Sequence, residues 1–156
     1  QLEVAGGERF YRERVYSYEL YHQLRLSWGA CKYSLNGEID KSSHSHFRGS
    51  RYARAKPDLL VHVPGSMDDN LAIVEIKSIE GENSGWMKDL EKLSWFVTKA
   101  AYAAGMFLVY GGTAEQVSRR CRTITGALAS PNEKVAVWAH PAPGQAAVLC
   151  GSLQEL

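Results

Sequence analysis

The pattern of hydrophobic and polar positions is most regular in the middle of the chain. Residues 59–63 and 71–76 form two short runs rich in leucine, isoleucine and valine, and residues 64–70 between them are rich in turn-forming types. Short aliphatic runs on either side of turn-forming residues predict a β-hairpin. We expect this hairpin to form the centre of the fold, with the rest of the chain arranged around it.

Further helices and strands are predicted on both sides of the hairpin from the spacing of apolar residues. The predicted helices cover residues 9–28, 86–104 and 114–128, and the other predicted strands cover residues 33–41, 106–110, 134–139 and 146–149. The strand after the second helix should pair in parallel with the second hairpin strand, through a right-handed crossover. We therefore expect one α/β domain over residues 1–156, with a mixed sheet flanked by helices.

Length, composition and charge argue against a membrane-spanning protein and against a chain that is basic overall. A chain of 156 residues is long enough for one domain with a core, and no apolar run reaches transmembrane length. The net charge of +1 gives no global basic field, so contacts with nucleic acid must come from local patches. The three cysteines are far apart and are interpreted as reduced thiols of a cytoplasmic protein. The start at Gln1 leaves open a trimmed fragment or one domain of a longer protein.

The hairpin carries charged residues among its apolar ones. Side chains alternate between the two faces of a strand, so Glu75 and Lys77 share one face, and Asp58 lies at the start of the neighbouring strand. Burying such groups is costly unless they are paired or bound to a metal. Two converging carboxylates provide the hard oxygen ligands that Mg²⁺ or Mn²⁺ prefers, and the lysine lies beside them.

The residues Pro57-Asp58 and Glu75-Ile76-Lys77 resemble the motif of the PD-(D/E)XK nuclease superfamily, and the resemblance covers roughly residues 11–112. It implies a restriction-endonuclease-like fold with an αβββαβ core, followed here by an extra helix and strands. It also implies metal-dependent hydrolysis of DNA phosphodiester bonds, as in endonucleases of restriction, defence or repair, with a 5′-phosphate and a 3′-hydroxyl as products.

The same resemblance implies a site. Asp58 and Glu75 would hold Mg²⁺ or Mn²⁺ together with the main-chain carbonyl of Ile76, and Lys77 would position water and offset negative charge. A glutamate of the first helix often completes such sites. Glu19 is our first choice for it, because it lies within the apolar half of the predicted helix. The alternatives for this third acid are Glu13 and Glu38.

Basic residues before Asp58 form a candidate surface for nucleic acid. Arg48, Arg51, Arg54 and Lys56 are interleaved with aromatic residues in a long irregular segment, which suits phosphate contact and base stacking. A solvated basic loop is the alternative interpretation. Lys92 on the second helix is either a residue that lines the active site or a surface lysine.

DNA is the expected partner, and we expect no membrane and no small-molecule cofactor. A homodimer or a larger protein context remains open. The alternative function is a non-catalytic module that binds nucleic acid or protein and retains the nuclease fold. The presence of Asp58, Glu75 and Lys77 together favours the enzyme.

Overall fold

A computed structural model describes residues 12–37, 51–52, 55–66 and 69–156, and the backbone of two short strands near the N-terminus. The strands are β1 (Leu2–Glu3), β2 (Arg9–Phe10), β3 (Ser34–Gly37), β4 (Leu59–His62), β5 (Asn70–Ser78), β6 (Ala104–Tyr110), β7 (Val135–His140) and β8 (Val148–Ser152). The helices are α1 (Glu13–Ser27), α2 (Asn83–Lys99) and α3 (Ala114–Thr125).

Among the described residues, six strands form one mixed sheet in the order β3-β4-β5-β6-β7-β8, and β1 pairs with β2 separately. Strands β3, β4 and β5 are antiparallel neighbours, β5, β6 and β7 are parallel, and β8 is antiparallel to β7. The predicted hairpin is therefore confirmed as β4–β5, and the predicted parallel crossover is confirmed as β5–α2–β6. The architecture is α/β, with a central mixed sheet flanked by helices.

The two faces of the sheet are covered by different helices. Val74 and Ile76 of β5 face the side covered by α1, where Tyr16, Leu20 and Leu24 pack against the sheet. The opposite face is buried under α2 and α3, in a core that includes Ile73, Phe107, Leu90 and Val117. The alternation along β5 therefore buries both faces of this central strand.

Helix α1 presents a different stripe to the sheet from the one predicted. Tyr16, Leu20 and Leu24 recur at helical spacing and face the core. Val15 and Leu26, which the sequence pattern placed in the apolar half, are 42% and 69% exposed. The prediction was wrong at these two positions because it assigned every aliphatic residue to the buried face. Aliphatic residues also occur on protein surfaces, and two exposed ones shift the predicted buried face around the helix.

Helix α2 begins and ends earlier than predicted. It stops at Lys99, and Ala101 takes the left-handed backbone conformation with φ of 55°. The side chain of Asn70, at the start of β5, donates a 3.0 Å hydrogen bond to the carbonyl oxygen of Ala100. The main-chain oxygen of Asn70 accepts from the N–H of Ala103. These two hydrogen bonds hold residues 100–103 in a turn. Their effect outweighs the helix propensity of this alanine-rich segment.

The link between β5 and α2 is also held in place. The guanidinium of Arg120 on α3 donates to the carbonyl oxygens of Ile79 and Gly81, and it lies 4.2 Å from the ring centre of Trp86. These contacts fix the start of α2 relative to the end of β5. As a result, one face of α2 is brought close to the C-terminal half of β5.

In the part of the chain that the structure describes, no helix combines the length and the apolar character needed to cross a bilayer. Cys31, Cys121 and Cys150 are all free thiols. This is the state that their number and spacing predicted.

Candidate functional site

In the described part of the chain, six ionisable side chains from four parts of the fold meet beside the C-terminal half of β5. One comes from the first turn of α1, one from the residue before β4, two from β5 and two from α2. They are Glu13, Asp58, Glu75, Lys77, Asp89 and Lys92. We refer to these six residues as the charged cluster.

Glu75 is the most deeply buried member of the charged cluster, with 2% of its surface exposed. The ammonium nitrogen of Lys92 lies 2.8 Å from Oε1 of Glu75 and 2.9 Å from Oδ1 of Asp89. Burial raises the pKa of Glu75 well above its usual value; Asp89 and Asp58 add to this rise, and Lys92 opposes it. Ionised Glu75 therefore depends on a cation beside it.

Lys77 binds two carboxylates from opposite sides of the sheet. Its Nζ lies 2.8 Å from Oε1 of Glu13 on α1 and 3.0 Å from Oδ2 of Asp89 on α2. Burial lowers the pKa of Lys77, but these two carboxylates outweigh burial, and the net pKa is raised. Its side chain is therefore a fixed positive charge at neutral pH.

Asp58 lies beside Glu75 across the hairpin. Leu59 pairs with Val74 in the antiparallel register, which places Asp58 opposite Glu75. Oδ2 of Asp58 accepts a 2.7 Å hydrogen bond from the main-chain N–H of Ile76. Burial raises the pKa of Asp58, while the Ile76 N–H and the charge of Lys77 lower it in part.

The charge of this cluster is unbalanced. Its four carboxyl groups and two ammonium groups give a formal charge of −2 when all are ionised. A divalent cation would neutralise that charge, and oxygen ligands are the ones that Mg²⁺ and Mn²⁺ prefer. Within the described ranges, no group of three or more acidic, histidine or cysteine side chains is arranged to hold a metal ion.

The fit of a metal therefore depends on the two carboxylates of Asp58 and Glu75. Mg²⁺ is commonly bound through only one or two carboxylates, with water and substrate phosphate as its other ligands. Burial raises the pKa of both acids, so each carboxylate is stabilised in its ionised form by a positive charge beside it. The donor set is thus compatible with Mg²⁺.

The structure does not bring Glu19 to these residues. Oε1 of Glu19 accepts a 2.6 Å hydrogen bond from Gln23 on the exposed side of α1. Glu13, the second choice, instead contacts Lys77. Glu13 lies on the stripe of α1 that continues through Tyr16, so the error in the buried face of α1 also misplaced the third acid. Glu38 lies outside the described residues.

The predicted basic surface is only partly described. Arg48 and Arg54 lie outside the described residues, and Lys56 is exposed. Arg51 is paired with Glu91 on α2 and lies 4.6 Å from the ring centre of Tyr52. The structure therefore places Arg51 against α2 and does not bring it into contact with the charged cluster.

The sequence pattern does not identify Asp89 as a site residue, and it allows two interpretations of Lys92. Both lie in the cluster, and the structure favours the site-lining interpretation of Lys92. A signal for Asp89 was present, because this aspartate lies next to Leu90 within the apolar face of α2 and is 6% exposed. An acid on a buried stripe is uncommon without a partner.

A scan against protein-family models finds no match, and a search of curated proteins finds no significant relative. The charged cluster is therefore the main basis for assigning a function.

Proposed function

We propose that this protein is a metal-dependent nuclease that hydrolyses phosphodiester bonds in DNA, with a restriction-endonuclease-like fold of the PD-(D/E)XK superfamily. The observation that carries this proposal is the convergence of Asp58, Glu75 and Lys77 in a cluster with excess negative charge. The chain order helix, three antiparallel strands, helix and parallel strand also supports it.

The carboxylates of Asp58 and Glu75 would bind Mg²⁺ or Mn²⁺, with the main-chain carbonyl of Ile76 as a further ligand. The main-chain N–H of Ile76 already holds the Asp58 carboxylate in place. The bound cation would act as a Lewis acid on the scissile phosphate and lower the pKa of a bound water.

Lys77 would position the attacking water and offset the negative charge that develops on the phosphate. Glu13 and Asp89 hold its ammonium group from two sides and keep it charged, so it is suited to donate hydrogen bonds rather than to accept a proton. Glu13 and Asp89 are positioning residues for Lys77 in this scheme.

Cleavage of a panel of DNA forms tests the proposal. Single-stranded, duplex and branched DNA are incubated with Mg²⁺ or Mn²⁺ and with either the unmodified protein or Lys77→Ala. We expect Lys77→Ala to lower the rate by about 100-fold or more, as loss of a group that stabilises the transition state does. Lys88→Ala, an exposed lysine on α2, is the matched control and should cleave normally. Equal rates for Lys77→Ala and the unmodified protein would contradict the assignment.

A second candidate function is a non-catalytic module that binds nucleic acid or protein. One observation favours it: Lys77 and Lys92 already pair with three of the four acids, so the cluster has internal counter-ions. Titration with Mn²⁺ separates the two functions. The nuclease is expected to bind Mn²⁺ and to lose this binding in Glu75→Gln, whereas a module would bind DNA or protein without binding Mn²⁺.

A further inference from the structure

A pocket of about 500 Å³ lies near the charged cluster, at the C-terminal ends of β6 and β7. Tyr110 and His140, the last residues of these strands, pair in register and line it. Helix α1 forms one wall, and residues 141–144 form another. We call this feature the His140 pocket. Ligands of open α/β sheets commonly bind outside the carboxyl ends of parallel strands.

The His140 pocket is adjacent to the proposed catalytic residues. Tyr110 pairs in register with Ser78, the residue after Lys77, and the charges of Glu13 and Lys77 both act on the Tyr110 hydroxyl. Glu13 lies one helical turn before Tyr16, which lines the pocket. Strands β5 and β7 are two positions apart in the sheet, or about 10 Å. The pocket lies on the α1 face of the sheet and Glu75 on the α2 face, but Lys77 contacts Glu13 of α1 at the C-terminal edge that both faces share. One strand of DNA bound along this edge can therefore reach both places.

Three aromatic side chains that line the pocket hold one another in position. The ring of Tyr16 stacks on that of Tyr110, with 4.2 Å between the ring centres and 8° between the planes. The hydroxyl of Tyr16 donates to Nδ1 of His140 over 2.7 Å, and Nε2 of His140 donates to the carbonyl oxygen of Gln145 over 3.0 Å. Burial raises the pKa of Tyr16 to about 12, so its hydroxyl remains a donor at neutral pH.

The rest of the pocket combines apolar surface with two charges. Leu20, Pro141 and Pro143 provide apolar contact, while Arg12, the residue before α1, and Glu19 on α1 supply the charges. A guanidinium suits a phosphate, and a carboxylate accepts hydrogen bonds from the N–H groups on the edge of a base. An apolar peptide would use the apolar wall only. A nucleotide uses the wall and both charges.

We propose that the His140 pocket binds one unpaired nucleobase of the DNA substrate, next to the phosphate that is cleaved. This inference rests on the proposed nuclease function. A base within a duplex is stacked and paired, and taking it out has an energetic cost that is lowest for a base already unpaired. The protein is therefore specific for DNA that contains unpaired nucleotides, such as single strands, flaps or mismatches.

The pocket is tested with a variant that fills it. Ala142 lines the pocket on an irregular segment, so Ala142→Trp adds bulk without disturbing a helix or strand. Ala127→Trp, at an exposed alanine after α3, is the matched control. The probe is a short single-stranded oligonucleotide with one 2-aminopurine, titrated in Ca²⁺. We expect Ala142→Trp to bind about tenfold more weakly than the unmodified protein and to abolish the change in 2-aminopurine fluorescence. Ala127→Trp should behave as the unmodified protein does.

A second variant covers the case in which Ala142→Trp does not fold, which thermal melting would reveal. Arg12→Ala removes an exposed guanidinium and should weaken binding of the same oligonucleotide severalfold. Normal binding and an unchanged fluorescence response in both variants would overturn the pocket proposal. Binding of an apolar peptide that Ala142→Trp abolishes, without any oligonucleotide binding, would overturn it in favour of a protein partner.

Cleavage rates separate this proposal from the proposed function. If Lys77-dependent cleavage is equal on fully paired and unpaired DNA and is unchanged in Ala142→Trp, the nuclease stands and the base pocket is wrong. If oligonucleotide binding depends on Ala142 while no DNA form is cleaved, the base pocket stands and the nuclease proposal is wrong.

Discussion

At the scale of single residues, Lys92 already places a positive charge on Glu75, one of the two acids that would hold the metal ion. Its ammonium group contacts Glu75 and Asp89 at hydrogen-bond distance. An ammonium and a divalent cation compete for the same carboxylate oxygens, so binding of one weakens binding of the other. The lysine therefore stabilises the metal-free protein, while in the proposed enzyme it opposes metal binding.

Replacing Lys92 with methionine tests this competition. We expect Lys92→Met to bind Mn²⁺ about tenfold more tightly, which is about 1.4 kcal/mol. The metal-free variant should lose about 2 to 4 kcal/mol of unfolding free energy, because a buried carboxylate loses its partner. Calorimetric titration and urea denaturation measure the two effects.

Lys88→Met on the same helix is the control for Lys92→Met, because Lys88 is exposed. It should change neither Mn²⁺ affinity nor stability by more than about 0.5 kcal/mol. Weaker Mn²⁺ binding in Lys92→Met would show instead that this lysine supports the metal site.

The raised pKa values of Glu75 and Asp58 predict a pH dependence for the metal-free protein. An acid whose pKa is higher in the folded state stabilises the fold below its unfolded pKa. That stability is lost as pH rises through the folded pKa. We therefore expect Glu75→Gln to gain stability relative to the unmodified protein as pH increases from about 4 towards 8. Urea denaturation in EDTA across this pH range measures the unfolding free energy of both proteins. A difference between them that does not change with pH would contradict the prediction.

At the scale of secondary structure elements, the orientation of α1 decides which acid joins the cluster. The stripe that contains Tyr16, Leu20 and Leu24 faces the sheet, and the same rotation directs Glu13 to Lys77. Glu19 is then directed towards Gln23 and the His140 pocket. The packing of α1 thus determines the composition of the site as well as the stability of the fold.

Two leucines on α1 test its orientation. Leu24 packs against the sheet, whereas Leu26 is 69% exposed. We expect Leu24→Ala to lower the unfolding free energy by about 1 to 2 kcal/mol, because it is partly buried. Leu26→Ala should change the unfolding free energy by less than about 0.5 kcal/mol. Chemical denaturation of both variants measures this contrast, and a larger effect for Leu26→Ala would mean that the helix packs through its other face.

At the scale of the whole molecule, the charged cluster joins parts of the fold that are distant in sequence. Glu13 and Lys77 connect α1 with β5, and Asp89 connects α2 with the same lysine. A cation bound to Asp58 and Glu75 would add a link between β4 and β5. Ligand binding to the folded state alone stabilises the whole domain, because unfolding must release the ligand.

We therefore expect a divalent cation to stabilise the complete domain. Ca²⁺ at about 100 times its dissociation constant should add about 2.7 kcal/mol to the unfolding free energy, and EDTA should remove this gain. Asp58→Asn should abolish the effect. Asp69→Asn is the control, because the carboxylate of Asp69 pairs with the exposed Lys32 and does not belong to the charged cluster. Thermal melts with Ca²⁺ and with EDTA measure how far the cation stabilises each protein. Equal stabilisation of Asp58→Asn and the unmodified protein would show that the cation binds elsewhere.

The hairpin and its charges were predictable because they depend on local pattern. The alternation within β5 places Ile76 on one face and Glu75 with Lys77 on the other, and the turn residues before it fix the direction of the chain. The parallel pairing of β6 followed from the helix that precedes it. These features need only the nearest elements along the chain.

The sequence by itself determined the class of fold, the paired strands, the placement of Glu75 and Lys77 on β5 and that of Asp58 directly before β4. Only the tertiary structure decided that Glu13 rather than Glu19 reaches Lys77, and that Asp89 and Lys92 complete the cluster. The physical reason is that strand alternation has two outcomes for a side chain, so local pattern suffices. The rotation of a helix about its axis varies continuously and is set by packing against residues far away in the chain.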